Sequence, residues 1–294
     1  MATHLLATIP RQWADDYSYC RNVAKNHTEN FPVASLLLPA RMRPHLFAIY
    51  AFARIADDIA DTPGHPDNEK LRRLDDWQRM LDQAANSSAK HPIFRALSHT
   101  CSTTDLAIDH LYNLLTAFRL DITKKEYESS AELEEYCHYS ANPVGAMFLQ
   151  LAGEGNDENI LYSNEICTAL QLTNHWQDLG IDPGMGRPLY LPREVMQNFG
   201  VTEETIRSRR FTPAFGEMMF HLIAIERDRF NSGKPLINRL SGRLRLEISM
   251  IWESGMSLLN RMEELGGNTL RHRPRLTKAD KITALFSVIR RELT

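Results

Sequence analysis

Ala48-Ile49-Tyr50-Ala51-Phe52-Ala53-Arg54-Ile55-Ala56-Asp57-Asp58-Ile59-Ala60-Asp61 decides how this chain is read. The stretch continues Leu46-Phe47 and is too apolar for a surface helix, yet it closes on aspartates. Residues four apart on a helix stack on one face, so Asp57 is expected over Asp61. Like charges at that spacing repel, and Asp is a mediocre helix former. A solvated acidic face is the ordinary explanation for such a pair. The apolar context favours neutralisation by a cation.

A second group repeats the chemistry. Ile166 to Leu172 leads through Gln171, Asn174 and Trp176 to Asp178-Leu179-Gly180-Ile181-Asp182. Helical spacing places Asn174, Asp178 and Asp182 on one oxygen-bearing stripe. Oxygen-only ligands suit a hard cation, and Mg²⁺ typically takes one or two carboxylates, completing its shell with water and substrate phosphate. The two groups therefore read as metal clamps on a diphosphate. The simplest architecture is one all-α domain over 1–294 with a central apolar cavity faced by both groups.

With 294 residues, 43% of them hydrophobic, the chain can bury a large core. A net charge of −3 gives no reason to expect nucleic acid. The basic runs Arg207-Ser208-Arg209-Arg210 and Arg271-His272-Arg273-Pro274-Arg275 read as solvated helix ends, with a membrane-surface or diphosphate role as the alternative for the second. Cys20, Cys101, Cys137 and Cys167 form no C-x-x-C pair or zinc spacing, as expected of reduced thiols in a cytosol. Met1 to Pro10 lacks a basic region followed by an apolar stretch, so no signal peptide is expected. No apolar run approaches the ~18 residues of a membrane span. The expected setting is cytoplasmic, with peripheral contact at the inner membrane as a variant.

Helical periodicity dominates, and alternating Val/Ile/Thr-rich runs are absent. Expected helices cover 11–27, 40–61, 67–85, 92–99, 104–121, 130–152, 158–181, 192–198, 202–208, 212–232, 236–266 and 278–292. Ser129-x-x-Glu132 and Thr277-x-x-Asp280 are capping-box patterns, and Gly153 and Gly266-Gly267 mark C-terminal ends. Pro183 places the end of the second carboxylate helix at Asp182.

Further groups could serve the same cavity. Arg54 lies one turn before Asp57 and Asp58, as a phosphate fork or as their ion-pair partner. Tyr50 lies one turn earlier, and Arg187 and Tyr190 follow the second group. Pro143 within Ser140-Ala141-Asn142-Pro143-Val144-Gly145 kinks its helix, and the small residues leave room for an apolar ligand or for a close helix contact. His27, Thr28, Asn30 and Phe31 form a flap or an ordinary loop. Dinucleotide, P-loop, G-x-S-x-G and H-E-x-x-H signatures are absent.

Together the two acidic stretches and Gly186-Arg187-Pro188-Leu189-Tyr190-Leu191-Pro192 resemble the squalene and phytoene synthase family, over about Tyr17 to Lys281. Within it, Tyr136-Cys137, Ser140 to Gly145 and Glu29-Asn30-Phe31-Pro32-Val33-Ala34-Ser35 look most like the hydroxysqualene synthases of bacterial hopanoid pathways. The resemblance implies an all-α isoprenoid synthase fold. It implies Mg²⁺, or Mn²⁺ in its place, on Asp57, Asp58 and Asp61 and on Asn174, Asp178 and Asp182. It also implies a diphosphate contact at Arg54 and a pocket residue at Gln171. His27, Asn30, Phe31, Tyr50, Asn142, Arg187 and Tyr190 complete the expected substrate contacts.

Many relatives carry a Ser-Lys-Ser-Phe flap where this chain has Thr28-Glu29-Asn30-Phe31. Glutamate for lysine removes a phosphate-binding cation and favours a substrate with a single diphosphate. The implied reaction ionises presqualene diphosphate and captures the cation with water, giving hydroxysqualene without NADPH. Head-to-head condensation to presqualene diphosphate, squalene or phytoene is the alternative activity. A non-enzymatic helical assembly factor is the alternative of another class, and a scaffold has no reason to keep buried carboxylates. Expected partners are a prenyl diphosphate and, for handover, other enzymes of the squalene pathway.

Overall fold

The computed structural model describes residues 9–26, 39–181 and 188–276. The chain divides into two compact units. One comprises Met1–Thr123 and Ala146–Asn156, the other Lys124–Gly145 and Asp157–Thr294.

In the first unit, a 3-10 turn at Arg11–Trp13 leads into α1 (Ala14–Asn26), α2 (Arg43–Asp61), α3 (Asp67–Ala85), α4 (Pro92–Thr103) and α5 (Asp109–Thr123). Helix α2 buries Leu46, Ala48, Ile49, Ala51, Phe52, Ala56, Ile59 and Ala60, the apolar stripe legible in its sequence. Its Phe52 stacks on Trp77 of α3 at 6.0 Å and meets Phe94 of α4 edge-on at 5.9 Å. Trp77 and Phe94 are 4.6 Å apart, closing an aromatic core that holds three helices together.

A polar knot ties α1 into the same core. The Tyr17 hydroxyl donates to the Ala96 carbonyl at 3.1 Å and lies 2.9 Å from both His99 Nδ1 and Thr100 Oγ1. His45 Nδ1, on the first turn of α2, is 3.2 Å from that hydroxyl and 2.9 Å from Thr100 Oγ1. Burial raises the Tyr17 pKa and pushes His45 down to about 4, with His99 adding to the effect on His45. The neutral imidazole is the form that packs here.

The second unit opens with β1 (Glu126–Tyr127) and α6 (Ser130–Ser140). Helix α7 (Asn142–Ala152) crosses the boundary between the units, and α8 (Asp157–Gln177), β2 (Leu189–Pro192), α9 (Arg193–Asn198) and α10 (Glu203–Arg207) follow. The described chain continues with α11 (Pro213–Gly233), α12 (Pro235–Arg239) and α13 (Gly242–Glu264). Helix α11 packs closely on α8. A Cβ at Gly233 would meet Ile166 Cγ1 at 2.6 Å and the Tyr162 carbonyl oxygen at 2.7 Å. Helix α13 fits equally tightly, because a Cβ at Gly255 would lie 2.3 Å from the Phe230 ring. Trp252 Nε1 donates to the Phe230 carbonyl at 2.7 Å.

The all-α expectation holds, with local corrections, among them the expected helices 92–99 and 104–121, which are Pro92–Thr103 and Asp109–Thr123. The expected helix 130–152 breaks at Ala141, so Pro143 opens α7 in its first turn, where it lacks only an already orphaned N–H. The expected helix 236–266 is two helices, because Leu240 and Ser241 are extended and Gly242 has φ 54°. The second carboxylate helix ends at Gln177, not Asp182. The short strands β1 and β2, missed in the sequence, pair in parallel with an irregular register, Glu126 opposite Leu189 and Tyr127 opposite Pro192. Helix 278–292 and the Thr277 cap lie outside the described residues. The Ser129 cap forms, accepting from Glu132 N at 3.2 Å, while Glu132 returns a bond to Glu128 N at 2.9 Å.

Candidate active site

The first acidic group ends α2 in the first unit. Arg54, one turn earlier, reaches forward to Asp58 at 2.7 Å and to Asp57 at 3.4 Å. Its side chain is 19% exposed, against 38% for Asp57 and 43% for Asp58, and Asp61 is exposed. The expectation of buried carboxylates is therefore corrected. The apolar stripe of α2 faces the core, and the acids occupy the side turned from it, where water or a cation can reach them. Of the two readings of Arg54, the ion pair is the one the structure shows.

The second group lies where α8 gives way to a turn. Asn174 is exposed on the last helical turn. Asp178 N donates three residues back, to the His175 carbonyl at 3.2 Å, and Ile181 N donates to the Asp178 carbonyl at 2.8 Å. The turn brings Gly180 against the following chain, where a Cβ would stand 2.3 Å from the Leu270 carbonyl oxygen and 2.7 Å from that of Thr269. Asp178 thus sits just past the helix that was expected to carry it. Both its oxygens are engaged: Arg273 Nε donates to Oδ1 at 2.6 Å and Nη2 to Oδ2 at 2.9 Å. Within the run 271–275, expected to be a solvated helix end, Arg273 is neither helical nor merely solvated.

Gln171 lies one turn before His175, and their Nε2 atoms are 3.0 Å apart. With the amide donating, the imidazole carries its proton on Nδ1. The His175 ring stacks on Tyr190 of β2 at 3.7 Å with a 12° interplanar angle. Tyr136 donates to the Tyr190 hydroxyl at 3.4 Å, and Trp176 Nε1 donates to the Tyr190 carbonyl at 3.0 Å. The structure thus joins Gln171 and Tyr190 through His175, which the sequence reading passed over although it stands four residues from Gln171. Asn142 Oδ1 accepts from Thr168 of α8 at 3.0 Å. At Gly145 the close-contact reading holds, because a Cβ would meet Ser163 Oγ at 2.3 Å and Cys167 Sγ at 2.6 Å. Tyr50 is half-buried on α2. His27, Asn30, Phe31, Asp182 and Arg187 lie outside the described residues, as does Glu29.

The donors in both groups are carboxylate and amide oxygens, a set that fits a hard divalent cation. Among the described residues no three His, Cys, Asp or Glu side chains converge as a ready metal cage. Mg²⁺ does not need one, because water and substrate phosphate fill most of its shell.

Residues 6–280 match the squalene/phytoene synthase family. The chain belongs to that family. Members similar to this enzyme include a hydroxysqualene synthase of Rhodopseudomonas palustris, 35% identical over 80% of this chain and 79% of that protein. Another from Sinorhizobium fredii is 34% identical over 79% and 78%. Among solved structures, squalene synthase HpnC from Alicyclobacillus acidocaldarius superposes with a TM-score of 0.84 at 33% identity, covering 90% of this chain and 98% of that one. A dehydrosqualene synthase in complex with ligand gives 0.82 at 25% identity, covering 96% and 98%. The fold is the all-α isoprenoid synthase fold of these relatives.

Proposed function

We propose that this enzyme converts presqualene diphosphate to hydroxysqualene with release of diphosphate, using Mg²⁺ or Mn²⁺ and no NADPH. The observation that carries the reading is the similarity to hydroxysqualene synthases over about four fifths of both chains. Asp57, Asp58 and Asp61 would hold one cation and Asn174, Asp178 and Asp182 another. Bound Mg²⁺ supplies charge stabilisation for the departing diphosphate oxygens.

The remaining work falls to the chain. Arg54, 2.7 Å from Asp58 at the end of the same helix, would offer its fork to a phosphate of the substrate. Gln171 is held by His175 and thereby keeps a fixed polar edge toward the reacting carbons. Water ends the reaction by adding to the carbocation, and the proton it loses passes to solvent or to the released diphosphate. Glu29 repels a second diphosphate and so disfavours condensation. We place the reaction in the cytoplasm, with peripheral contact at the inner membrane and handover to neighbouring enzymes of the pathway, because substrate and product are long isoprenoids. No helix among the described residues is long and apolar enough to cross a membrane.

Incubation with presqualene diphosphate in oxygen-18 water tests the proposal. The expected product is hydroxysqualene with a labelled hydroxyl, formed without NADPH. Accumulation of presqualene diphosphate from farnesyl diphosphate would overturn it. So would phytoene from geranylgeranyl diphosphate, the condensing alternative to which the 26% identity with tomato phytoene synthase 1 points less strongly.

A further inference from the structure

The segment from Thr269 to Arg275 lies across the end of α8 and is fastened there at three points. Thr269 and Leu270 are buried, and their carbonyl oxygens occupy the space that a side chain at Gly180 would need. Gln177 Nε2 donates to the Pro274 carbonyl at 2.5 Å. Between these anchors Arg273 closes a two-pronged bond on Asp178. The anchors fix the backbone, so the guanidinium is delivered to one carboxylate and to both of its oxygens.

We propose that Arg273 is a built-in competitor for the divalent cation at Asp178. The fork takes the syn lone pair of each Asp178 oxygen and leaves only the outward-facing anti pairs, so a cation that chelates both oxygens must displace it, and the guanidinium charge repels a cation at the remaining positions. Cation binding at the second acidic group therefore includes the cost of displacing Arg273, and the empty enzyme binds metal there more weakly than its oxygen donors alone would allow. Arg273 is a positioning residue in this role. It keeps Asp178 neutralised and oriented until substrate and cation arrive together. The inference rests on Asp178 being a metal ligand, as proposed above.

The test is Mn²⁺ binding to the full chain without substrate, read as loss of the free-ion EPR signal. Asp57→Ala/Asp58→Ala protein serves as the parent, so that the second group is observed alone. Adding Arg273→Gln should tighten Mn²⁺ about three- to fivefold, the scale of a partly exposed ion pair. Arg273→Lys keeps the charge but not the fork and should fall between. In the parent, Mn²⁺ should also speed tryptic cleavage at Arg271–His272 by loosening the segment. Equal affinities in the parent, Arg273→Gln and Arg273→Lys proteins would overturn the competition, while weakened binding in Asp178→Asn would leave the ligand assignment standing. Unchanged binding in Asp178→Asn would remove the assignment and the inference with it. If Arg273→Gln fails to fold by circular dichroism, the Arg273→Lys affinity and the proteolysis rate decide the question.

Discussion

The imidazole of His175 lies nearly flat on the ring of Tyr190, 3.7 Å centroid to centroid, while its Nε2 meets Gln171 at 3.0 Å. One ring thus fastens β2 to α8 and fixes the amide expected beside the reacting carbons. His175→Ala should lower stability by about 1–3 kcal/mol, from a lost stack and a lost hydrogen bond. It should also lower kcat about tenfold. His175→Phe keeps the stack, so its melting temperature should stay near the wild type while kcat falls as for alanine. Wild-type turnover in His175→Phe would show that Gln171 needs no such support.

Loss of a carboxylate should separate chemistry from folding. Asp58→Ala and Asp178→Ala should each reduce turnover by several orders of magnitude, since losing charge stabilisation of several kcal/mol or so has that effect. Their ion pairs with Arg54 and Arg273 are part-exposed, so unfolding free energy should change by no more than about 1 kcal/mol. Excess EDTA should abolish turnover in the wild type. Denaturant melts beside product assays check all three, and activity in EDTA would sink the metal reading.

Acid should weaken the first unit through His45. Its folded pKa, near 4, lies below the unfolded value of about 6.5 because burial and His99 disfavour the cation. Stability is therefore full above about pH 6.5 and is lost as pH falls toward 4, by on the order of 3 kcal/mol at most. Facing groups are His99, Tyr17 and Thr100. His45→Gln should flatten that limb of the pH–stability curve, and an unchanged slope would place the acid sensitivity elsewhere.

Glu226 on α11 should act with the opposite sign. Burial lifts its carboxyl to about 7 despite Arg229, and Glu134 and Glu165 add to the rise. A raised folded pKa means stability present below the unfolded value and lost as pH rises through about 7. Glu226→Gln should gain on the wild type between pH 5 and pH 8, by a few kcal/mol at most. Thermal melts at the two pH values measure this, and a constant difference would refute it.

Gly255→Ala should cost about 1–3 kcal/mol. Its methyl would enter the Phe230 ring, which is itself fully buried and cannot swing away. Pairing it with Phe230→Leu should recover part of the loss, and a double-mutant cycle on urea melts measures the coupling.

Much of this was legible in the sequence because the signals are local. Helix α3 follows its expected span of 67–85, bounded by Pro66 and the polar run after Ala85. The α2 stripe and its terminal acids follow from period and composition alone. Non-local contacts carried no such signal. Strand β1 is two residues long and finds its partner only after α6, α7 and α8 have intervened. Arg273 reads like any surface arginine until the backbone at 269–270 settles against Gly180. The end of α8 was misplaced for the same reason. Pro183 is a valid stop, but the helix gives way to a turn at Asp178, where the chain settles against Thr269 and Leu270.

The pairing of β1 with β2 has a practical use. Leu189 N is fastened to the Lys125 carbonyl at 3.0 Å, and Gly180 is held against Leu270. Gly180 and Leu189, which flank positions 182–187 in the sequence, are therefore two fixed posts. The stretch of sequence between those posts can be exchanged as an interchangeable cartridge. Six-residue inserts from other members of the family can be fitted there while both posts are kept, and the product spectrum then screened against an unchanged frame.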